Sequence, residues 1–548
     1  MAHALAGKPV QEQDIIDVQT IVDAYFDNVP DMTNPTQLVS FGTSGHRGTS
    51  VDGTFTDLHV AAITQAICDG RKQFGATGPI FVGQDTHALS QPALVTVLEV
   101  LAGNGVTAMV DCDMAFVPTP SVSRAIIRYN EEHDDKADGI IITPSHNPPD
   151  NGGIKYNTII GGPADTVVTK WIEMRANEYL TAYCESEDFK RISIDNIGPT
   201  AQVPYDYKGL YVEELGDVIN MEAIKAAGPK VLVDTLGGSG ASYWNAIKER
   251  YGLDLTIIHD DYDPTFSFMT YDHDGKVRMD CSSTYVMASV INRIGDFDLA
   301  VGNDPDYDRY GIVVSSGLIS ANTFLTLAAR YLFTTRGWKN KGVGKTVVCT
   351  TMIDKWAADA ETPVFEVPVG FKYFSQLLFD GAIGIGGEES AGASFLKKDG
   401  TVWTTDKDGM IMALLSMEIM AVMGKSALKM ADEFVEEFGN PSFGRIDAPC
   451  KKEQKQILKQ MSAELITATT VDGDSITNIR TTSLYNDMPI DGVRVETDKG
   501  WFVARPSGTE DLYKIYGESY KGDLGLVALL TAGEEIVNAA LNGTIETE

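Results

Sequence analysis

"GIIITPSHNPPDNGGIKYN", residues 139–157, is the stretch on which the fold turns. Four apolar or small residues, Gly139 to Ile142, end abruptly at Thr143-Pro144, as a short buried strand ends at a turn. Pro144 restricts the residue before it and fixes the entry to the turn, while Pro148-Pro149 fix the exit. Between them stand Ser145 and His146, with glycines and Lys155 close behind. Ligands of open α/β sheets sit beyond the carboxyl ends of strands. A stiff, polar turn in that position makes Ser145 a candidate group carrier or nucleophile. No GxSxG elbow surrounds it, which argues against a serine esterase. Its hydroxyl needs activation, and His146, Lys155 and Arg47 are the available partners.

Outward from this strand the chain alternates. Strands are expected at 80–82, 106–110 and 139–142, with helical spacing over 91–101 and from about 121. A second block has strands at 230–233, 255–258 and 298–302, the first running into the turn Gly237-Gly238-Ser239-Gly240. A third has strands at 346–349, 364–367 and 382–385. Such alternation predicts three successive α/β domains with mixed, largely parallel sheets. Past Gly439-Asn440-Pro441 come a Lys- and Gln-rich helix and short strands at 492–497, 501–505 and 512–517, with Asp498-Lys499-Gly500 as a hairpin turn. This tail reads as an α+β domain. The expected domains are 1–205, 206–325, 326–440 and 441–548, the first including an N-terminal extension, residues 1–37, to which the sequence assigns no role. No fixed short repeat argues for a solenoid.

At 548 residues the chain needs several cores. It is 43% hydrophobic and 22% charged, ordinary values for a folded globular protein. Its 44 basic and 77 acidic residues leave a net charge of −33, which repels nucleic acid and anionic membranes. An anionic substrate would therefore need the few cations gathered in one place. Six scattered cysteines without a CxxC pair suggest reduced thiols, and no signal-like or spanning segment is evident, so a cytoplasmic setting is expected.

Other loops offer chemistry. "VGNDPDYDRYGIVV" alternates Asp304, Asp306 and Asp308, hard oxygen donors suited to Mg²⁺. A calcium EF-hand wants Gly and Glu where Arg309 and Ser315 stand, so that reading fails. An Asp-x-Asp phosphatase stays open on this loop alone. In "RPSGTED", Arg505 can grip a phosphate bidentately, and Ser507, Gly508 and Thr509 offer hydroxyls and backbone N–H groups. "GIGGEESAG" sets Glu388 and Ser390 two apart, a spacing that can present a carboxylate and a hydroxyl to vicinal sugar hydroxyls. "FGTSGHRG" carries Arg47, "VPVGFKYF" Lys372 and "TDKDG" Lys407, candidates for the cationic cluster.

Taken together, "FGTSGHRG", "TPSHNPPDNGGIKYN", "GNDPDYDR", "GEESAG" and "RPSGTE" occur in the order and spacing of the α-D-phosphohexomutase superfamily, which this chain resembles from about residue 38 to its end. The resemblance is greatest to the bacterial branch acting on α-D-glucose phosphates. It implies four domains around a central cleft, and an enzyme interconverting glucose 1-phosphate and glucose 6-phosphate. Ser145 would be the phosphoserine. Asp304, Asp306 and Asp308, with the serine phosphate, would hold one Mg²⁺. Arg47, Lys155 and Arg309 would lie near the transferring phosphoryl, and His146 or Lys155 would shuttle the proton. Glu388, Ser390, Lys372 and Lys407 would serve the sugar, and Arg505, Ser507, Gly508 and Thr509 the distal phosphate. Glucose 1,6-bisphosphate would be intermediate and activator, and the protein would act as a monomer or homodimer. Competing expectations are a metal-dependent sugar phosphatase or a mutase of mannose or glucosamine phosphates. Two departures stand out. Ser390-Ala391-Gly392 replaces the Ser-Gly-His common in members that also take mannose, and His46 stands where relatives often carry an apolar residue.

Overall fold

A computed structural model describes residues 2–42, 45–183, 189–425, 427–506 and 512–545. The chain divides into two compact units. One comprises Met1–Ala321, Phe374–Ala382 and Ser390–Leu428; the other comprises Asn322–Tyr373, Ile383–Glu389 and Lys429–Glu548.

Within the first unit, β1 (His46–Thr49), β2 (Ile80–Gln84), β3 (Ala108–Asp111), β4 (Asp138–Ile142), β5 (Asn151–Asn157) and β6 (Gln202–Tyr205) form one sheet in the order β1-β5-β4-β2-β3-β6. β4, β2, β3 and β6 run parallel, whereas β5 is antiparallel to both β4 and β1. Every residue of β2 and β4 is buried, as parallel strands are when helices cover both faces. The sequence reading places no strand at 151–157, where Gly152-Gly153 weaken any strand pattern. The glycines serve close approach instead: a Cβ on Gly153 would stand 2.2 Å from the carbonyl oxygen of Thr143. Lys155 is thereby fixed on a strand beside β4.

The second sheet of this unit has the order β11-β10-β9-β7-β8, from β7 (Val231–Asp234), β8 (Leu255–Ile258), β9 (Leu299–Asn303), β10 (Tyr310–Val314) and β11 (Gly317–Leu318). β9, β7 and β8 are parallel, and β10 returns antiparallel to β9. The N-terminal extension belongs to both cores. Leu5 and Val10 pack beside the second sheet, and Ile21 and Tyr25 are buried against the first.

In the second unit, β12 (Gly342–Thr346) pairs in parallel with β13 (Val364–Val367) and β14 (Ile383–Gly387). The strand expected at 346–349 therefore lies earlier. Gly342 and Gly344 masked it, while the apolar Val347 and Val348 lie past its end, buried against Ile490, Trp501 and Val503. After β15 (Ala393–Phe395), which lies in the first unit, come β16 (Ser442–Pro449), β17 (Thr470–Val471), β18 (Asp474–Thr482), β19 (Pro489–Thr497), β20 (Gly500–Pro506) and β21 (Leu512–Ser519). These last six make an antiparallel sheet, with Thr497 opposite Gly500 across the expected hairpin. One described helix, Gly522–Ile545, is long and apolar enough to cross a membrane, and its Leu529, Leu530, Val537 and Leu541 are buried in the core of this sheet.

Candidate active site

Ser145 follows β4 by three residues and is 1% exposed. Its φ of +59° is a left-handed conformation that costs a non-glycine residue about 1–2 kcal/mol. The turn compensates: the Ser145 amide donates to Thr143 Oγ1 at 2.7 Å, and its hydroxyl donates to Asp304 Oδ2 at 2.8 Å. His146 Nδ1 lies 3.3 Å from the same hydroxyl. Arg47, on β1, reaches the next residue, its NH1 donating to Asn147 Oδ1 at 3.4 Å.

The partner loop joins β9 to β10. Asn303 pairs with Tyr310, so residues 304–309 form a tight hairpin closed by Asn303 Nδ2 donating to the Arg309 carbonyl. Tyr307 turns the loop with φ +63°. Asp304, Asp306 and Asp308 are all buried, and one carboxylate oxygen from each lies within 4.8 Å of the others. Cations surround them. Lys155 Nζ is 2.6 Å from Asp306 Oδ2 and 3.1 Å from Asp308 Oδ2; Lys407 Nζ is 3.0 Å from Asp308 Oδ2. Thr119 fixes the loop further by donating its hydroxyl to Asp306 at 2.7 Å.

Oxygens are nevertheless left over. Asp306 Oδ1 and Asp308 Oδ1 are buried without a hydrogen-bond partner, a costly arrangement unless something else meets them. Burial and the two neighbouring carboxylates hold the Asp304 carboxyl well above the usual carboxylate range. Burial alone would raise Asp308 too, but Lys155, Lys407 and Arg309 bring it below that range. Three converging oxygens with unanswered lone pairs fit a hard divalent cation, and the donor set can hold a metal.

Two neighbours complete the surroundings, and the sequence reading passed over the first of them. Asp280 Oδ2 accepts from Arg309 NH1 at 3.1 Å and lies 3.8 Å from His146 Nε2. Nothing periodic marks "RMDCSS", so only the contact identifies it. Ser390 to Gly392 form the other neighbour: the Ala391 carbonyl accepts the Tyr310 amide at 3.1 Å, and Gly392 bridges to Arg309. The first unit thus gathers Ser145, His146, Lys155, Arg47, Arg309, the three aspartates, Lys407 and the Ser390 turn. Lys372, Glu388 and Arg505 belong to the second unit. Glu388 is buried just past β14, Lys372 Nζ stands 5.5 Å from its neighbour's ring at Tyr373, and Arg505 donates Nε to the Ile490 carbonyl at 3.2 Å. Ser507, Gly508 and Thr509 lie outside the described residues.

His46, next to Arg47, has a structural explanation. Its Nε2 donates to the Thr54 carbonyl at 2.9 Å and its Nδ1 accepts the Ser40 amide at 3.2 Å. Both ring atoms are used up by backbone, and burial pushes the imidazole down to about 4.

Comparison with known proteins identifies the family. The phosphoglucomutase/phosphomannomutase alpha/beta/alpha domains I, II and III match residues 38–182, 210–317 and 320–438, and the C-terminal domain of the same family matches 447–524. The chain belongs to the phosphoglucomutase/phosphomannomutase family. It is 46% identical to the phosphoglucomutase of Komagataeibacter xylinus over 97% of each chain, and 28% identical to phosphoglucomutase 1 of Saccharomyces cerevisiae over 88% of each. Among solved structures, the open form of pp63/parafusin from Paramecium superposes with a TM-score of 0.72, covering 94% of this chain and 96% of its own at 20% identity, a likeness of fold.

Proposed function

We propose that this protein interconverts α-D-glucose 1-phosphate and α-D-glucose 6-phosphate, with Ser145 as the phosphoryl carrier. The observation that supports it most is the hydroxyl of Ser145 at 2.8 Å from a buried aspartate triplet with unanswered oxygens. An esterase would surround its serine with a base and an oxyanion site. Here acidic oxygens and four cationic side chains, from Arg47, Lys155, Arg309 and Lys407, suit a phosphate held between a metal and a sugar hydroxyl.

Phosphoserine 145 would give its phosphoryl to the free hydroxyl of the bound sugar phosphate. The Oγ–P bond breaks, a P–O bond to the sugar forms, and the hydroxyl proton passes to the protein. After the bisphosphate turns end for end, the other phosphoryl returns to Ser145 Oγ. Transfer through a loose transition state needs in-line positioning and charge neutralisation above all. Asp304, Asp306 and Asp308 would hold Mg²⁺, which when bound neutralises charge on the phosphoryl oxygens. Arg47, Arg309 and Lys155 would add fixed positive charge that requires no reorganisation during transfer.

His146 is the better proton acceptor. Burial and the nearby Arg309 and Arg47 hold its imidazole well below the usual range, so it is neutral at pH 7. Burial works against the charge of Lys155, but Asp306 and Asp308 outweigh it and keep the ammonium charged, unsuited to accept a proton. From the family resemblance, Glu388, Ser390, Lys372 and Lys407 are assigned to the sugar, and Arg505 with Ser507, Gly508 and Thr509 to the distal phosphate. Glucose 1,6-bisphosphate is the intermediate and priming ligand. The absence of histidine from Ser390-Ala391-Gly392 favours glucose over mannose substrates.

Peptide-mapped mass spectrometry tests the reading. Phosphate on Ser145 should be discharged by glucose 1-phosphate, and Ser145→Ala should abolish turnover to glucose 6-phosphate. Full turnover by Ser145→Ala would end it.

A further inference from the structure

The left-handed backbone at Ser145 has to be held from both sides, and one buried ion pair outside the phosphoryl and metal contacts touches both. Asp85 follows β2 directly, and the Asp85 amide donates to the Ile142 carbonyl at 3.0 Å, which sets it beside the end of β4. The carboxylate is fully buried and accepts four hydrogen bonds. Oδ1 takes the His87 amide at 3.0 Å and Ser90 Oγ at 2.5 Å; Oδ2 takes His87 Nδ1 at 2.8 Å and Thr143 Oγ1 at 2.6 Å. Four donors fill the acceptor capacity of one carboxylate.

Two lines run from this carboxylate to the serine. Because the Thr143 hydroxyl spends its proton on Asp85, its lone pairs face the Ser145 amide, which donates to it at 2.7 Å. His87 Nε2 stands 3.0 Å from the carbonyl oxygen of Asn147. Both nitrogens of His87 therefore face acceptors, so the ring carries two protons and is a buried imidazolium. The environment agrees: burial opposes the charge, but Asp85 outweighs it and raises the group above its ordinary range, with Asp306 adding to the effect. The ring of Phe266 packs beside the imidazole, with centroids 5.1 Å apart. Thr143 and Asn147 lie two residues before and two residues after Ser145.

We propose that Asp85 and His87 are positioning residues for phosphoryl transfer: together they grip the chain on both flanks of Ser145 and hold its oxygen in line between donor and acceptor. This rests on Ser145 being the phosphoryl carrier. Neither residue needs to touch substrate. Loosening either flank lets Ser145 relax toward ordinary backbone angles and moves Oγ away from Asp304.

Three variants test it: Asp85→Asn, whose amide cannot accept four donors; Thr143→Val, which removes only the hydroxyl; and Thr143→Ser, which keeps it. For Asp85→Asn and Thr143→Val, kcat should fall roughly 30- to 100-fold, the scale of a misplacement of about 1 Å, while KM for glucose 1-phosphate stays within about three-fold. Thr143→Ser should return kcat to within about five-fold of the parent. Single-turnover discharge of the phosphorylated enzyme should slow in the same proportion. Thr143→Val with parental kcat and discharge rate overturns the inference, even if its thermal midpoint drops, because that is the behaviour of a merely structural hydroxyl. If Asp85→Asn does not fold, the Thr143 pair decides alone. Ser145→Ala run alongside separates the two failures: full turnover there removes the carrier reading itself, whereas its loss with an active Thr143→Val removes only the positioning role.

Discussion

The two ends of β4 carry two buried charge clusters that differ in their accounting. At its start, Asp138 is fully buried and faces one guanidinium. Arg71 donates Nε to both oxygens at 3.1 and 3.0 Å and NH2 to one at 2.7 Å, and Tyr156 Oη donates at 2.7 Å. Arg71 NH2 also donates to the carbonyls of Gly78 and Pro79. Beyond the other end of β4, around Ser145, three equally buried carboxylates converge and two of their oxygens have no partner. Burial does not distinguish the clusters. What distinguishes them is balance: one is closed within the protein, and the other leaves oxygens that could hold a metal ion.

The closed cluster gives the largest expected loss of stability. Removing Arg71 leaves Asp138 buried and unpaired, so Arg71→Leu should cost about 3–5 kcal/mol in urea unfolding. In the open cluster, Asp304→Asn removes a charge that its neighbours already oppose. With EDTA present its unfolding free energy should not fall below that of the parent, while kcat drops about 10²–10³-fold, the usual loss when one preorganised electrostatic group is removed from a polar reaction. If Asp304→Asn destabilises the metal-free protein as much as Arg71→Leu does, the two clusters are alike and the contrast collapses.

Mg²⁺ sharpens the contrast at a somewhat smaller scale. A ligand that binds only the folded state at a hundred times its Kd stabilises by about 2.7 kcal/mol. Saturating Mg²⁺ should therefore raise the thermal midpoint of the parent, and should raise that of Arg71→Leu by a comparable free energy. Asp308→Ala should lose the response. An equal shift in Asp308→Ala would place the cation elsewhere.

Much of this was legible in the sequence, and for physical reasons. β2, β4, β7 and β9 are continuous apolar runs ending in polar turns, so both their existence and the loops past their carboxyl ends could be read directly. β5 and β12 were not readable, because Gly152-Gly153 and Gly342 are kept for close approach and dilute the β-pattern that packing then restores. Ser145 and the aspartates announced themselves by residue type and spacing. Asp280 and the Asp85–His87 pair did not. Their role comes from contacts across long stretches of chain, such as Asp280 to Arg309 at 3.1 Å, which no local pattern encodes.

His46 puts the criterion of balance to its most delicate test, since it adjoins Arg47 on β1 and could pass for a catalytic group. By balance it is structural, with Nδ1 and Nε2 both satisfied by backbone in the neutral form. Its imidazole is pushed down to about 4 from the 6.5 of an unfolded chain, with burial as the leading cause. The sign follows from which state binds the proton first. The unfolded chain protonates as pH falls through 6.5, while the folded ring stays neutral until about 4, so the stability present above pH 6.5 drains away across that window. Between pH 6.5 and 5 the loss from this one ring is about 1.5 kcal/mol. His46→Gln has no such group to titrate. Urea unfolding at the two pH values should show the stability gap between parent and His46→Gln shrinking by that amount as the solution is acidified. A gap that holds constant would mean the ring titrates as freely in the folded protein as in the unfolded one, and a fully satisfied buried histidine would then no longer be a safe sign of structure rather than catalysis.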